Sequence, residues 1–103
     1  ALQPNFMMEY NNRVYVNDKE SGIYIFDHFA TYLKKIPITG LDQFQVHNES
    51  IYYSKEEKFC QYDLRSFKTS CREIEKEGVQ SLRIENDKLF FKTGEGVVVY
   101  KTK

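Results

Sequence analysis

The chain repeats itself. Residues 40–53 run in the order Gly, apolar, two polar, apolar, polar, apolar, an Asn-bearing turn, then apolar-aromatic-aromatic. Residues 78–91 follow the same order 38 positions later without a gap. Upstream, residues 11–16 lie over 48–53 at a shift of 37, and residues 22–27 over 58–63 at 36. Three copies of a unit of about 37 residues within 103 constrain the fold more than any single residue does. A unit that short cannot bury its own apolar face, so it must stack on its neighbours.

Each unit reads as short strands separated by turns. In the clearest copy the strands are residues 43–46, 50–54, 58–63 and 70–75, with links at 47–49, 55–57, 64–69 and 76–78. Phe44 and Val46 alternate with Gln43 and Gln45, and Leu82 and Ile84 with Ser81 and Arg83, which is the period of a strand with one buried face. Asn48 tolerates a left-handed backbone, and Gly40 and Gly78 adopt positive φ without steric cost. No stretch has a helical period. Residues 70–77 are charged enough to pass for a helix, but their place in the repeat makes them a strand. The expected fold class is therefore all-β, built from four-stranded antiparallel units.

The fragments Tyr15-Val16-Asn17-Asp18, Gly22-Ile23-Tyr24-Ile25-Phe26-Asp27 and Tyr32-Leu33-Lys34-Lys35-Ile36 resemble the repeats of NHL-type and related six-bladed β-propellers. The resemblance implies one partial propeller of about 2.75 blades, over residues 4–36, 41–75 and 79–101. Ala30 departs from the pattern, standing where such repeats often carry Gly. WD repeats are a poorer likeness, since the chain has no Trp and no Gly-His pair. The strand count runs 1-2-3-4, 1-2-3-4, 1-2-3, and about four blades make the smallest closed ring. Two readings stay open: the C-terminal part of a longer ring, with missing blades as its partner, or one protomer of a ring built from several copies. The first strand, residues 5–10, is the poorest match, and its Phe6, Met7 and Met8 are expected to pack on a preceding blade. The last strand, Gly96–Lys101 with Val97, Val98 and Val99, is expected to present an open edge that invites self-association.

Composition narrows the partners. Fifteen basic residues balance fifteen acidic ones, which argues against nucleic acid and against an anionic membrane surface. No apolar run approaches the ~20 residues of a membrane span, and residues 1–10 lack the features of a signal peptide.

Chemistry is sparsely signalled. His28 and His47 read as exposed turn residues. Cys60 and Cys71 match no zinc spacing. If strands three and four of the middle unit pair so that Asp63 faces Lys68, Cys60 falls opposite Cys71 and a disulfide is reachable, suiting an oxidising compartment. A register slipped by one or two residues leaves two buried thiols instead. Asp27 and Asp63 recur after the third strand and are expected to accept turn N–H groups. The Tyr and Phe residues at repeat positions, such as Tyr15, Tyr52 and Phe90, are read as core.

No catalytic residue, metal ligand set or cofactor is expected, as phosphate loops, nucleophile elbows and Ser/His/Asp arrangements are absent. The candidate binding residues are Asn17, Asp18 and Asp42, at the mouth of the channel a propeller would enclose. The reading is a non-catalytic binding or scaffold domain, with protein interaction and a bacterial periplasm or envelope as what the NHL resemblance implies. The alternatives are part of a calcium-dependent propeller hydrolase and a ligand-binding ring of several copies.

Overall fold

The computed structural model describes residues 2–56, 58–73, 81–85, 88–93 and 96–101. It is all-β, with eleven strands and no helix among the described residues. In chain order these are β1 (Pro4–Tyr10), β2 (Arg13–Asp18), β3 (Gly22–Asp27), β4 (Tyr32–Ile36), β5 (Gln45–His47), β6 (Ser50–Lys55), β7 (Lys58–Asp63), β8 (Thr69–Glu73), β9 (Ser81–Glu85), β10 (Lys88–Thr93) and β11 (Gly96–Lys101). They form antiparallel meanders of four, four and three strands: β1-β2-β3-β4, β5-β6-β7-β8 and β9-β10-β11. The chain divides into two compact units, Ala1–Gln43 and Phe44–Lys103.

The first unit holds the first sheet. Its opening hairpin turns on Asn11 and Asn12 at φ +52° and +65°, the double left-handed turn whose twist matches paired strands. Asn carries this conformation because its short polar side chain lowers the steric cost. Tyr15 faces Ile25, Asn17 faces Ile23, and Ile23 faces Ile36, so these five side chains share one face of the pleat. None is more than 2% exposed, and burying each apolar member contributes about 1.5–3 kcal/mol. On the other face Tyr32 sets its ring 5.9 Å from Phe26 and 6.4 Å from Tyr24, while the Lys35 ammonium lies over Tyr24 at 5.8 Å.

The second unit holds the other two sheets. Asn48 and Glu49 at φ +46° and +61° repeat the Asn11-Asn12 turn. Ile51, Tyr52 and Tyr53 are consecutive and all buried, as are Phe59 and Cys60, so this sheet is covered on both faces. Tyr52 and Phe59 stack at 5.9 Å. β5 lies beside β9. Several boundaries differ from the expected ones, those at the end of β5, the end of β6 and the start of β8 by a single residue. β5 starts at Gln45 rather than at residue 43, leaving Phe44 fully buried ahead of the strand, and β8 ends at Glu73, with residues 74–75 outside the described ones. The expected link at 76–78 also lies outside them.

Candidate functional site

Asn17 and Asp18 are the last residues of β2, not loop residues, and both side chains are buried. Asn17 Nδ2 donates to the Leu41 carbonyl at 2.7 Å and to Asn5 Oδ1 at 2.9 Å. Both partners are acceptors, and this fixes which end of the amide is nitrogen. Asn5 Nδ2 in turn donates to the carbonyls of Leu41 and Asp42, each at 3.2 Å. The chain leaving β4 is thereby tied down by two asparagines, and Gly40 N adds a third tie by donating to the Lys19 carbonyl at 2.7 Å. Leu41, held this way, buries its side chain at 1% exposure. Asn17 Oδ1 is buried without a hydrogen-bond partner among the described residues.

Asp18 is consumed by backbone. Its carboxylate accepts from Gln3 N at 3.1 Å, Glu20 N at 3.0 Å and Ser21 N at 3.2 Å. The N–H groups, Gln3 first, hold its pKa below the ordinary value of 3.8. Asp42 alone of the three presents its side chain to water, and its Oδ1 meets the Lys19 ammonium at 2.6 Å. Both ends of that pair are more than half exposed, so it contributes at most about 1 kcal/mol. The structure thus brings Asn17 and Asp42 to one linker, where Asn17 holds the backbone and Asp42 carries a solvated charge.

At the opposite end of the first sheet, Asp27 Oδ1 accepts from Phe29 N and Thr31 N, both at 2.9 Å. In the second sheet Asp63 Oδ1 accepts from Arg65 N at 2.7 Å and Ser66 N at 3.3 Å. Both carboxyls titrate below 3.8, Asp27 chiefly through Thr31 N–H and Asp63 chiefly through Arg65 N–H. Each turn closes on a left-handed residue, Ala30 at φ +67° and Phe67 at φ +62°. Each also exposes a phenylalanine, Phe29 at 78% and Phe67 at 59%. The groove beside Phe29, about 300 Å³ in volume, is lined by Val14, Phe26, Asp27, His28 and Ala30. His28 packs its ring 4.0 Å from that of Phe29. Asn5, Phe29 and Phe67 were not singled out by the sequence. The recurrent Asp was the available signal, since its carboxylate ties down the backbone of the turn that follows it.

In the second sheet Cys60 faces Cys71 across β7 and β8, and the two are joined as a disulfide. The register is the one in which Asp63 N donates to the Lys68 carbonyl, at 2.9 Å. His47 closes β5 half-buried, and its ring nitrogen lies 3.1 Å from Asn48 Nδ2. Among the described residues no three His, Cys, Asp or Glu side chains come together.

No known family and no curated protein matches the chain by sequence. Solved structures do match by shape. A candidate exported protein of Bacteroides fragilis superposes with a TM-score of 0.72 at 18% identity, covering 97% of this chain and 35% of that one. The N-terminal domain of Nup159, a β-propeller, superposes at 0.60 with 16% identity, covering 94% of this chain and 27% of that one. Identities this low speak for the fold alone: the chain has a β-propeller-like fold. It spans about a third of the length of either structure, or less.

Proposed function

We propose that the chain is part of a propeller of the NHL type, with blades over residues 4–36, 41–75 and 79–101, and that it binds a protein partner without catalysing a reaction. The observation that carries this is Phe29, 78% exposed on a turn that Asp27 fixes through two backbone hydrogen bonds. A large apolar side chain carried in water by a fixed backbone turn beside an apolar groove suits a contact surface, because the backbone part of the ordering cost is already met in the free protein. The two similar structures support a binding role only in being β-propeller-like, and neither name describes an enzyme.

A second reading places the contact at the other end of the sheet, where Asp42 offers an exposed carboxylate paired with exposed Lys19, while Asn17 and Asp18 hold the frame. The calcium-dependent hydrolase reading draws no support from the described residues; loss of a hydrolytic activity on chelation would restore it. The disulfide and the likeness to a candidate exported protein together favour a bacterial envelope compartment.

Quantitative capture from the source extract decides among these. Phe29→Ser is expected to lose the specific partner that Asp42→Ala retains. The reverse pattern moves the contact to the linker, and a partner set unchanged by both variants removes the binding proposal.

A further inference from the structure

β8 is the outermost strand of the middle sheet, which has a sheet before it and a sheet after it in the sequence, so the exposure of β8 does not hang on where the chain begins or stops. The cross-strand pairs of the first sheet can be followed into this one. In β3, Ile23 and Tyr24 face Ile36 and Lys35; at the equivalent places in β7, Phe59 and Cys60 face Arg72 and Cys71. The buried Ile23–Ile36 pair is thus replaced by Phe59 beneath the Arg72 guanidinium at 5.7 Å. Tyr24 and Lys35, a ring and an ammonium 5.8 Å apart, are replaced by the disulfide. A pair of positions that the first sheet fills without a covalent bond does not need one for the fold to form.

The two halves of the bridge differ in access. Cys60 is 4% exposed on β7, whereas Cys71 lies on β8, all five residues of which are exposed. A thiolate exchanges with the disulfide sulfur that it can reach, so access selects which sulfur takes the incoming group and which one leaves. The turn ahead of β8 is fixed without the bridge. Asp63 N donates to the Lys68 carbonyl at 2.9 Å, Phe67 N donates to the Asp63 carbonyl at 2.8 Å, and the Asp63 carboxylate accepts from Arg65 N and Ser66 N. That turn roots a strand which buries no side chain of its own, so Thr69–Glu73 can lift away from β7 while the turn holds.

We propose that the Cys60–Cys71 bridge is a thiol-exchange site for a dithiol reductant, which enters at Cys71 and releases β8 from β7. One thiolate of the reductant bonds to Cys71 Sγ as the bond between the two cysteine sulfurs breaks. The electron pair of that bond leaves on Cys60 Sγ, which takes up a proton. The second thiolate of the reductant then bonds to the first, and Cys71 departs as a thiolate that is protonated in turn. An electron pair has passed to the protein, and the reductant is left as its own disulfide. With no buried anchor like Ile36 to hold it, β8 then opens, β7 becomes the outer strand, and Phe59 loses the guanidinium above it. The reverse exchange with an oxidised dithiol closes the sheet again. A buried isoleucine offers no such control, because no reagent removes and restores it.

Treating the native full chain with dithiothreitol, followed by hydrogen exchange and by alkylation with peptide mass spectrometry, tests this. The bridge is expected to open without denaturant, with exchange along residues 69–73 rising about a hundredfold while β4, β6 and β7 keep their protection. A brief pulse of glutathione, quenched and alkylated, should leave the glutathionyl group on Cys71 and the alkylated thiol on Cys60. Oxidised glutathione added afterwards should close the bridge and restore the protection of β8. The double variant Cys60→Ser/Cys71→Ser should exchange fast along β8 with or without reductant. A bridge that opens only in urea overturns the proposal, as does glutathione carried by Cys60. A reduced protein whose β8 stays protected removes the strand release, and one that loses protection throughout β6 and β7 makes the bridge a staple of the fold; either result overturns the proposal.

Discussion

β4 and β8 hold the same place in their sheets and are held there by different means. β4 is anchored by burial: Ile36 is fully buried opposite Ile23, its carbonyl rests on Gly22, and Tyr32 packs its ring near Phe26. β8 has five residues and all are exposed, so burial contributes little to keeping it in place. Its fixed points are the Cys60–Cys71 bridge and the Arg72 guanidinium lying 5.7 Å over the Phe59 ring. An outer strand that lacks an apolar anchor can be retained by a covalent one, because the bridge lowers the entropy of the open chain instead of adding contacts. β11 completes the series, with neither kind of fourth strand beside it among the described residues.

The comparison can be broken most severely on the β4 side. Ile36→Ala removes the buried anchor and is expected to cost the first sheet about 4 kcal/mol in urea denaturation. Gly22→Ala should cost a similar amount, because its Cβ would run into the backbone of Ile36 and its φ is one that L side chains rarely adopt. Neither change should alter exchange along β8.

Reduction, or the double variant Cys60→Ser/Cys71→Ser, attacks the other anchor. With the cysteines 11 positions apart, about 3 kcal/mol should be lost, and hydrogen exchange should rise along β8 while β4 stays protected. Equal loosening of both strands would show that the two anchors are not independent.

Acid sharpens the contrast between the turns that precede these strands. Asp27 and Asp63 both titrate below 3.8 when folded, so their contribution is complete above that value and is lost as pH falls through the lowered values. Asp18 adds to the same acid-sensitive set, through the N–H groups of Gln3, Glu20 and Ser21. Melting temperature should therefore hold steady near neutrality and drop below pH 3.8. The variants Asp27→Asn and Asp63→Asn, which still accept the turn hydrogen bonds, should make that drop shallower.

The smallest expected effect is a gain. Ala30 sits at φ +67°, where the resemblance expected Gly, and Ala30→Gly should stabilise the first sheet by about 1 kcal/mol in thermal melts. A loss instead would mean that the Ala30 methyl contributes to the wall of the groove it lines.

The strand order was readable because each strand carries its own period and each turn its own residue chemistry. The Cys60–Cys71 pairing was readable as one of several registers, and the Asp63–Lys68 closure is what selected it. Asn17 and Asp18 were less readable. As short polar residues near a strand end they resemble ligand-binding loop residues, and nothing near them in sequence shows that their polar groups are already engaged. Phe29 was hidden for the converse reason, since an aromatic in an aromatic-rich repeat reads as core.

By itself the sequence determined how many strands there are to within their end residues, their order, the all-β class and the turns at Asn11-Asn12, Asn48-Glu49, Asp27 and Asp63, all of which rest on local backbone preference and on a side-chain period of two. Tertiary structure alone decided which polar side chains remain for a partner. Asn17 spends its amide on a carbonyl 24 residues away and Asn5 on carbonyls 36 and 37 residues away, while Asp42 keeps its charge in water. A hydrogen bond across that much chain depends on where the linker lands after the sheet has formed, and no local pattern records it.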